Sequence, residues 1–228
     1  MKSILLKSLA AICATMVMAL PAVAVPITDL YNTGVDNAGN LLGSSVADSH
    51  YSITNPGFTA TTISNSGFPI GTGNWVANNL TSRWIGTQNV SSDAPNAILM
   101  MFQTTFTIGA NADLSTVVIS GLGAADDSNT DTLVNGISVG GLFSGFGSLQ
   151  AFNITSNFVI GTNTLDFVIL NSIVNTTNPL GLRIDRISGT YSTVANNTNV
   201  PEPSVFILFA LGLAGFGMRR LRTRLTMP

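Results

Sequence analysis

Few residues in this 228-residue chain have the type and spacing to do chemistry, and most of them are acidic. Asp126, Asp127 and Asp131 crowd one stretch with Asn129 and Asn135 beside them, and hard oxygen ligands at such spacing suit Ca²⁺. No Glu closes the group in the manner of an EF-hand loop, and a solvated acidic loop is the competing reading. Trp75 and Trp84 flank Asn74 and Arg83, where an exposed indole among polar groups would stack on a sugar ring. Their competing reading is as core or sheet-corner residues. Arg183, Asp185 and Arg186 sit together on a late apolar segment, placed for an Arg and an Asp to pair across a sheet edge. His50 is the one histidine, no Glu precedes Glu202, and the one cysteine, Cys13, lies near the N-terminus. A Ser/His/Asp triad has little to draw on, and zinc sites need several nitrogen or sulfur ligands. A non-catalytic protein is expected, with no cofactor beyond a structural Ca²⁺ at the three aspartates.

The elements that must position these residues read as strands. Ile98, Met100, Phe102, Thr104, Phe106 and Ile108 fall on one face of an alternating segment, with Met101, Gln103, Thr105 and Thr107 on the other. Further strands are expected over 51–54, 59–63, 116–120, 132–134, 137–139, 149–154, 164–170 and 182–187. Asn55-Pro56-Gly57, Asn65-Ser66-Gly67, Asn135-Gly136 and Gly161-Thr162-Asn163 provide turns between them. No stretch between residues 25 and 199 shows a sustained helical period. Many short strands at regular spacing predict an all-β fold, an antiparallel β-sandwich. Phe102, Phe106, Val117, Ile119, Phe167, Ile169 and Ile184 are its expected core. From Val25 to Asn199 ten aspartates face only Arg83, Arg183 and Arg186, a net charge of −7 with neither Lys nor Glu. Nucleic acid is thereby excluded as a partner, because Lys and Arg supply most of that affinity through phosphate neutralisation.

Val117-Val118-Ile119-Ser120-Gly121, Ala125-Asp126-Asp127, Leu133-Val134-Asn135-Gly136-Ile137, Phe152-Asn153-Ile154 and Gly161-Thr162-Asn163-Thr164-Leu165-Asp166-Phe167 follow one another in that order. This stretch, within Trp84 to Tyr191, resembles the galactose-binding-like jelly roll, a family that includes many carbohydrate-binding modules. The resemblance implies polysaccharide as a partner, with Trp75, Trp84 and Asn135 as candidate contacts. Asn135-Gly136 also explains itself as a type I′ hairpin turn, in which both positions adopt positive φ.

The two ends of the chain carry a different message. Met1-Lys2-Ser3 and Lys7 form a positive region, Leu9 to Leu20 an apolar one, and Ala22-Val23-Ala24 a small-residue cleavage site; residues 1–24 read as a secretory signal peptide. Its removal would take Cys13 away and leave no thiol. Residues 25–192 then form the ectodomain and 193–199 a linker. At 200–228 come Val200-Pro201-Glu202-Pro203-Ser204, an apolar run through Met218, and Arg219, Arg220, Arg222 and Arg224. A helix over 204–218 spans roughly 22 Å against a hydrocarbon core of about 30 Å, short for a lasting anchor. The positive-inside bias keeps its arginines cytoplasmic and the ectodomain on the far side. These last 28 or so residues resemble the PEP-CTERM sorting signal of bacterial surface proteins. That resemblance implies an exosortase-type membrane protease as partner, transient residence in the inner membrane, and delivery to the cell surface or extracellular matrix.

Overall fold

The computed structural model describes residues 24–55, 57–87, 98–172 and 178–194. Ala22 and the rest of residues 1–23, most of the linker, the Pro201-Glu202-Pro203 motif, the expected helix and its arginines lie outside the described residues. The chain divides into two compact units after Thr193.

The described residues contain no helix and form β1 (Ala24–Ile27), β2 (Ser52–Asn55), β3 (Thr61–Thr62), β4 (Ile85–Gly86), β5 (Ile98–Ile108), β6 (Ala112–Asp126), β7 (Ser128–Val134), β8 (Ile137–Ser138), β9 (Gln150–Ile154), β10 (Gly161–Asn171) and β11 (Gly181–Thr193). They make two sheets. One runs β3-β4-β11-β6-β9 with β1 also on β11; the other runs β2-β5-β10-β7-β8. All pairings are antiparallel. The expected all-β architecture of antiparallel sheets is thus present.

The alternation in β5 is what builds the core. Met100, Phe102, Phe106 and Ile108 are buried, and with Leu165, Phe167 and Ile169 of β10 they face Val117 and Ile119 of β6 and Leu182 and Ile184 of β11 in one apolar cluster. Phe143, Phe152 and Phe167 add tilted and edge-on aromatic contacts at 5.7–6.0 Å. All seven expected core residues lie in this cluster. β5 occupies the range its pattern predicts. β6 and β11 run well beyond theirs, through Gly121-Leu122-Gly123-Ala124-Ala125 in β6, where small residues carry no alternation to read.

The two sheets differ in what covers their outer faces. Residues 63–84 fold over part of the outer face of the six-stranded sheet and enclose a second apolar cluster of Ile63, Ile70, Trp75, Trp84 and Ala124. Small residues on the sheet make room for this roof: a Cβ on Gly181 would stand 2.6 Å from the Trp75 ring. Replacing Gly181 with alanine should therefore lower stability by roughly 1–3 kcal/mol through overpacking. Gly147, with nothing within 4 Å of its would-be Cβ and no positive φ, is the control. Urea midpoints of Gly181→Ala and Gly147→Ala read the difference; equal midpoints would disprove the close seating of the indole.

Candidate functional site

The chemistry-bearing residues gather beneath the roof, where β6 ends and β11 begins. Asp126 pairs with Gly181 and Ala124 with Arg183, so the side chains of Asp126 and Arg183 share the outer face. Trp75 lies over Gly181 and donates its indole N–H to Asp126 Oδ2 at 2.7 Å. Trp84 meets Trp75 with ring centroids 4.2 Å apart and donates its own N–H to the Val76 carbonyl at 2.7 Å. Both indoles are buried, with Trp75 2% exposed and Trp84 fully covered. The exposed sugar-stacking platform considered for them is therefore not what they form; they close the roof over the sheet.

Arg183 is also buried there. Its Nε donates to Ser82 Oγ at 2.8 Å, one terminal nitrogen donates to the Ala77 carbonyl, and the other lies 4.0 Å from Asp185 Oδ2. Asp185 in turn accepts from Asn79 Nδ2 at 2.8 Å and Thr81 Oγ1 at 2.7 Å. Burial pushes the Asp185 carboxyl up, but these donors and the Arg183 charge hold it below the ordinary range. The pairing expected across a sheet edge occurs instead under a loop. Arg186 is exposed at an irregularity in β11, with φ 52°, and contributes its backbone N–H to the Asp185 carboxylate.

Asp126 and Asp127 have carboxyl groups hydrogen-bonded to each other. Burial, reinforced by the hydrogen bond and charge of Asp127, pushes Asp126 up to about 8, with the Trp75 N–H pulling the other way. Burial raises Asp127 as well, but Ser172 and Asp126 donate to it and hold it below the ordinary range. Asp126 is thus the proton donor of the pair, and Asp127 Oδ2 accepts from Ser172 N–H at 2.7 Å. Asp131 is not part of this group. Its Oδ1 accepts from Thr132 N–H, Ser138 Oγ and Gly140 N–H at 2.8, 2.7 and 3.2 Å and braces the hairpin after β7. The three aspartates proposed as one calcium shell serve two different structures. Among the described residues, no three His, Cys, Asp or Glu side chains come together to hold a metal.

Asn135 is spent on the scaffold. With Gly136 it makes the expected positive-φ turn at 53° and 77°. Its Nδ2 donates to the Asn157 carbonyl and to Asn163 Oδ1, both at 2.8 Å, and its Oδ1 accepts from Thr164 N–H at 3.0 Å. No polar atom of that side chain is left over for a ligand. Asn163 lies inside β10, and there it caps the preceding loop through Val159 and Gly161.

Two features escaped sequence reasoning. Gly136-Ile137-Ser138-Val139-Gly140 has the spacing of a nucleophile elbow, yet it forms the short return strand of a hairpin rather than a strand-to-helix turn. The Ser138 hydroxyl donates to Asp131, while His50 stacks on Tyr31 at 3.6 Å. The second feature is the outer face of the five-stranded sheet. It carries exposed Ser52, Thr54, Thr105, Thr107 and Thr162 around a buried Asp166 that accepts from Gln103 Nε2 at 2.7 Å. Burial raises the Asp166 carboxyl against the pull of Gln103. Its alternation was legible; the exposure of its threonines among the described residues was not.

The site and fold define a charge-poor β-sandwich whose carboxylates and arginine brace its own loops. Residues 199–222 match the PEP-CTERM protein-sorting motif, which marks the chain as an exported protein sorted at the membrane. No curated protein matches the chain. Among solved structures it is similar to a family 35 carbohydrate-binding module from Clostridium thermocellum, at 11% identity and a TM-score of 0.34, over 74% of this chain and 98% of that one. It is also similar to the CBM36-1 domain of a multidomain xylanase from the hindgut metagenome of Trinervitermes trinervoides, at 12% identity and a TM-score of 0.28, over 61% and 94% of the two chains. Neither likeness is near enough to assign a ligand to this chain.

The carboxyl pair makes stability depend on pH with a definite sign. Asp126 titrates near 8 when folded against an ordinary 3.8. Between those values the folded state holds a proton that the unfolded chain has released, so this contribution is complete below pH 4, declines as pH rises and is lost through pH 8. The slope reaches at most about 1.4 kcal/mol per pH unit. Asp126→Asn keeps both an acceptor for the Trp75 N–H and a donor for Asp127, but carries no titrating proton. Its melting temperature should fall less than that of the wild type from pH 5 to pH 8 and exceed it at pH 8. Parallel pH profiles would refute the shared proton.

Proposed function

We propose that the chain is a non-catalytic exported protein of the cell surface or extracellular matrix, delivered by its N-terminal signal and processed by an exosortase-type membrane protease at its tail. The match of residues 199–222 to the PEP-CTERM motif carries this reading. The residues support it in physical terms. Pro201 and Pro203 each fix φ and bias the residue before them away from the helix, so Pro201-Glu202-Pro203 offers a protease an extended segment. Glu202 keeps that segment in water, the apolar run after it enters the bilayer as a short helix, and the four arginines stay on the cytoplasmic side. The hydrophobic mismatch of a 15-residue span is tolerable for an intermediate and poor for a permanent anchor.

A second reading, in which the domain docks on exopolysaccharide, is favoured by the hydroxyl-rich face of Ser52, Thr54, Thr105, Thr107 and Thr162 around Gln103 and the buried Asp166. Such groups exchange hydrogen bonds with sugar hydroxyls without the desolvation cost of a full charge. A polysaccharide panel tests it: Gln103→Ala should weaken whatever binding is found, and absence of binding to every member would remove the reading.

The sorting reading has its own test. Alanine at Pro201, Glu202 and Pro203 leaves the apolar run and the arginines intact, so insertion should persist while processing stops. The mature mass is compared in cells with and without the sorting protease. A tail intact through Pro228 in both strains for the unsubstituted chain would sink the proposal.

A further inference from the structure

Both ends of the domain leave the sandwich at the same place. β1 begins at Ala24 opposite Ser192, and Thr193, the last residue of β11, lies opposite Ala112, where β6 begins. The turn from Ile108 to Ala112 is at this end, closed by the Ala112 N–H donating to the Gly109 carbonyl at 3.0 Å, and Gly161 pairs with Ile108 beside it. The loop leading into Gly161 displays Val159, 45% exposed, and Ile160, 44% exposed; the adjoining hairpin displays Ile137 at 57%.

These aliphatic side chains are mounted rigidly. Phe158 is buried next to them and meets Phe106 edge-on at 6.1 Å. Asn163 accepts the Val159 N–H and donates to its carbonyl, both at 2.8 Å, and Asn135 ties the hairpin to the same loop. A framework that holds apolar groups in water, when a looser loop would fold them away, fits a surface that is covered in use. Residues 108–113, 135–138 and 155–161 contain no Lys or Arg, so the cover is not recruited by anionic charge.

The length of chain beyond Thr193 identifies that cover. Residues 194–204 separate the domain from Val205, where the apolar run starts. These residues reach at most about 40 Å when extended and about 18 Å as a flexible coil. An inserted tail therefore keeps this end, rather than the opposite one, beside the bilayer.

We propose that, while the tail is inserted, the domain rests on the outer lipid surface through Ile137, Val159 and Ile160, with the end that carries Asp126, Asp127 and Leu99 turned away. The proposal rests on the reading of the tail as membrane-inserted. Three half-exposed aliphatic side chains hold a free domain on lipid too weakly to matter, but a short tether makes the contact intramolecular and raises its effective concentration. Cutting the tail removes the tether, so one cleavage frees the domain from both attachments.

The test uses residues 25–228, the form that signal-peptide removal leaves and that contains no cysteine, in zwitterionic phosphatidylcholine vesicles. A single environment-sensitive label is placed at Ile160→Cys or, at the far end, at Leu99→Cys, whose native leucine is 47% exposed. Protection of the tail from added protease is read on the same vesicles. The expected result is a protected tail, a blue-shifted label at 160 that lipid-borne nitroxide quenches, and an unshifted label at 99. Cleavage between Thr193 and Val205 should then abolish the signal at 160. A protected tail with both labels in water would overturn the proposal and leave the tail reading standing. An unprotected tail would overturn both. Quenching at both positions, or a shift at 160 without lipid, would replace it with non-specific adhesion or with self-association.

Discussion

The buried guanidinium of Arg183 is the constraint on which the rest of the outer face depends. Removing such a charge from water costs several kcal/mol, and the partners at Nε and at one terminal nitrogen, with the Asp185 carboxylate nearby, offset part of that cost, while the other terminal nitrogen makes no hydrogen bond among the described residues. Here most of those partners come from one loop: Ser82, the Ala77 carbonyl and, through Asp185, Asn79 and Thr81. The loop is held down because the arginine needs it, and the arginine finds its acceptors because the loop is there. Burial lowers its affinity for the proton, and the Asp185 charge opposes that effect. Once the loop is fixed, Trp75 and Trp84 have a place to pack and Asp126 loses its water. The shared proton of the two carboxyl groups follows from that loss. A change at Arg183 would therefore be felt at Asp126, with β6 and β11 between them.

The inner layer of this structure was legible in the sequence because it obeys a local rule. Side chains in a strand alternate, and Met100 to Ile108 displays that alternation without interruption. Asn135-Gly136 was legible for a similar reason, since a two-residue turn writes its backbone requirement directly into residue type. The roof was not legible. Trp75 and Trp84 lie in a segment without period, and only contacts such as Asp126 with Trp75 and Arg183 with Ser82, 51 and 101 positions apart, decide that they face inward. Indoles next to polar residues look the same in sequence whether a sugar or a sheet is beneath them. The aspartates present the same difficulty. Asp127 and Asp131 are close in the chain, but the strand between them carries one carboxylate to the Ser172 amide and the other to the Ser138 hairpin.

Scarcity of charge shapes the surface as much as the core does. A domain with neither Lys nor Glu must stay soluble through hydroxyl and amide groups, and these also hydrogen-bond to its own backbone. Asn79, Asn135 and Asn163 each act in this way, replacing turns that would otherwise need water to satisfy their amides. The buried arginine-aspartate pair depends little on ionic strength, since screening acts mainly on exposed charges. For a protein marked for export into a medium whose salt the cell does not control, that independence is an advantage.

The two sheets thus divide the work. The six-stranded sheet has the part of its outer face around Ala124 and Arg183 occupied by the chain's own loop, and the titrating and charged groups beneath it are engaged in holding that loop, while Val118, Ser120, Ser188 and Thr190 farther along the face are exposed. The five-stranded sheet instead carries exposed threonines around Gln103. Of the two ends, the one bearing Ala24 and Thr193 is tied to the chain termini and so to the events of export. The open face lies along the strands, clear of both termini. On the two proposals made above, attachment and recognition would use separate surfaces, and a cut in the tail would leave the threonine face undisturbed.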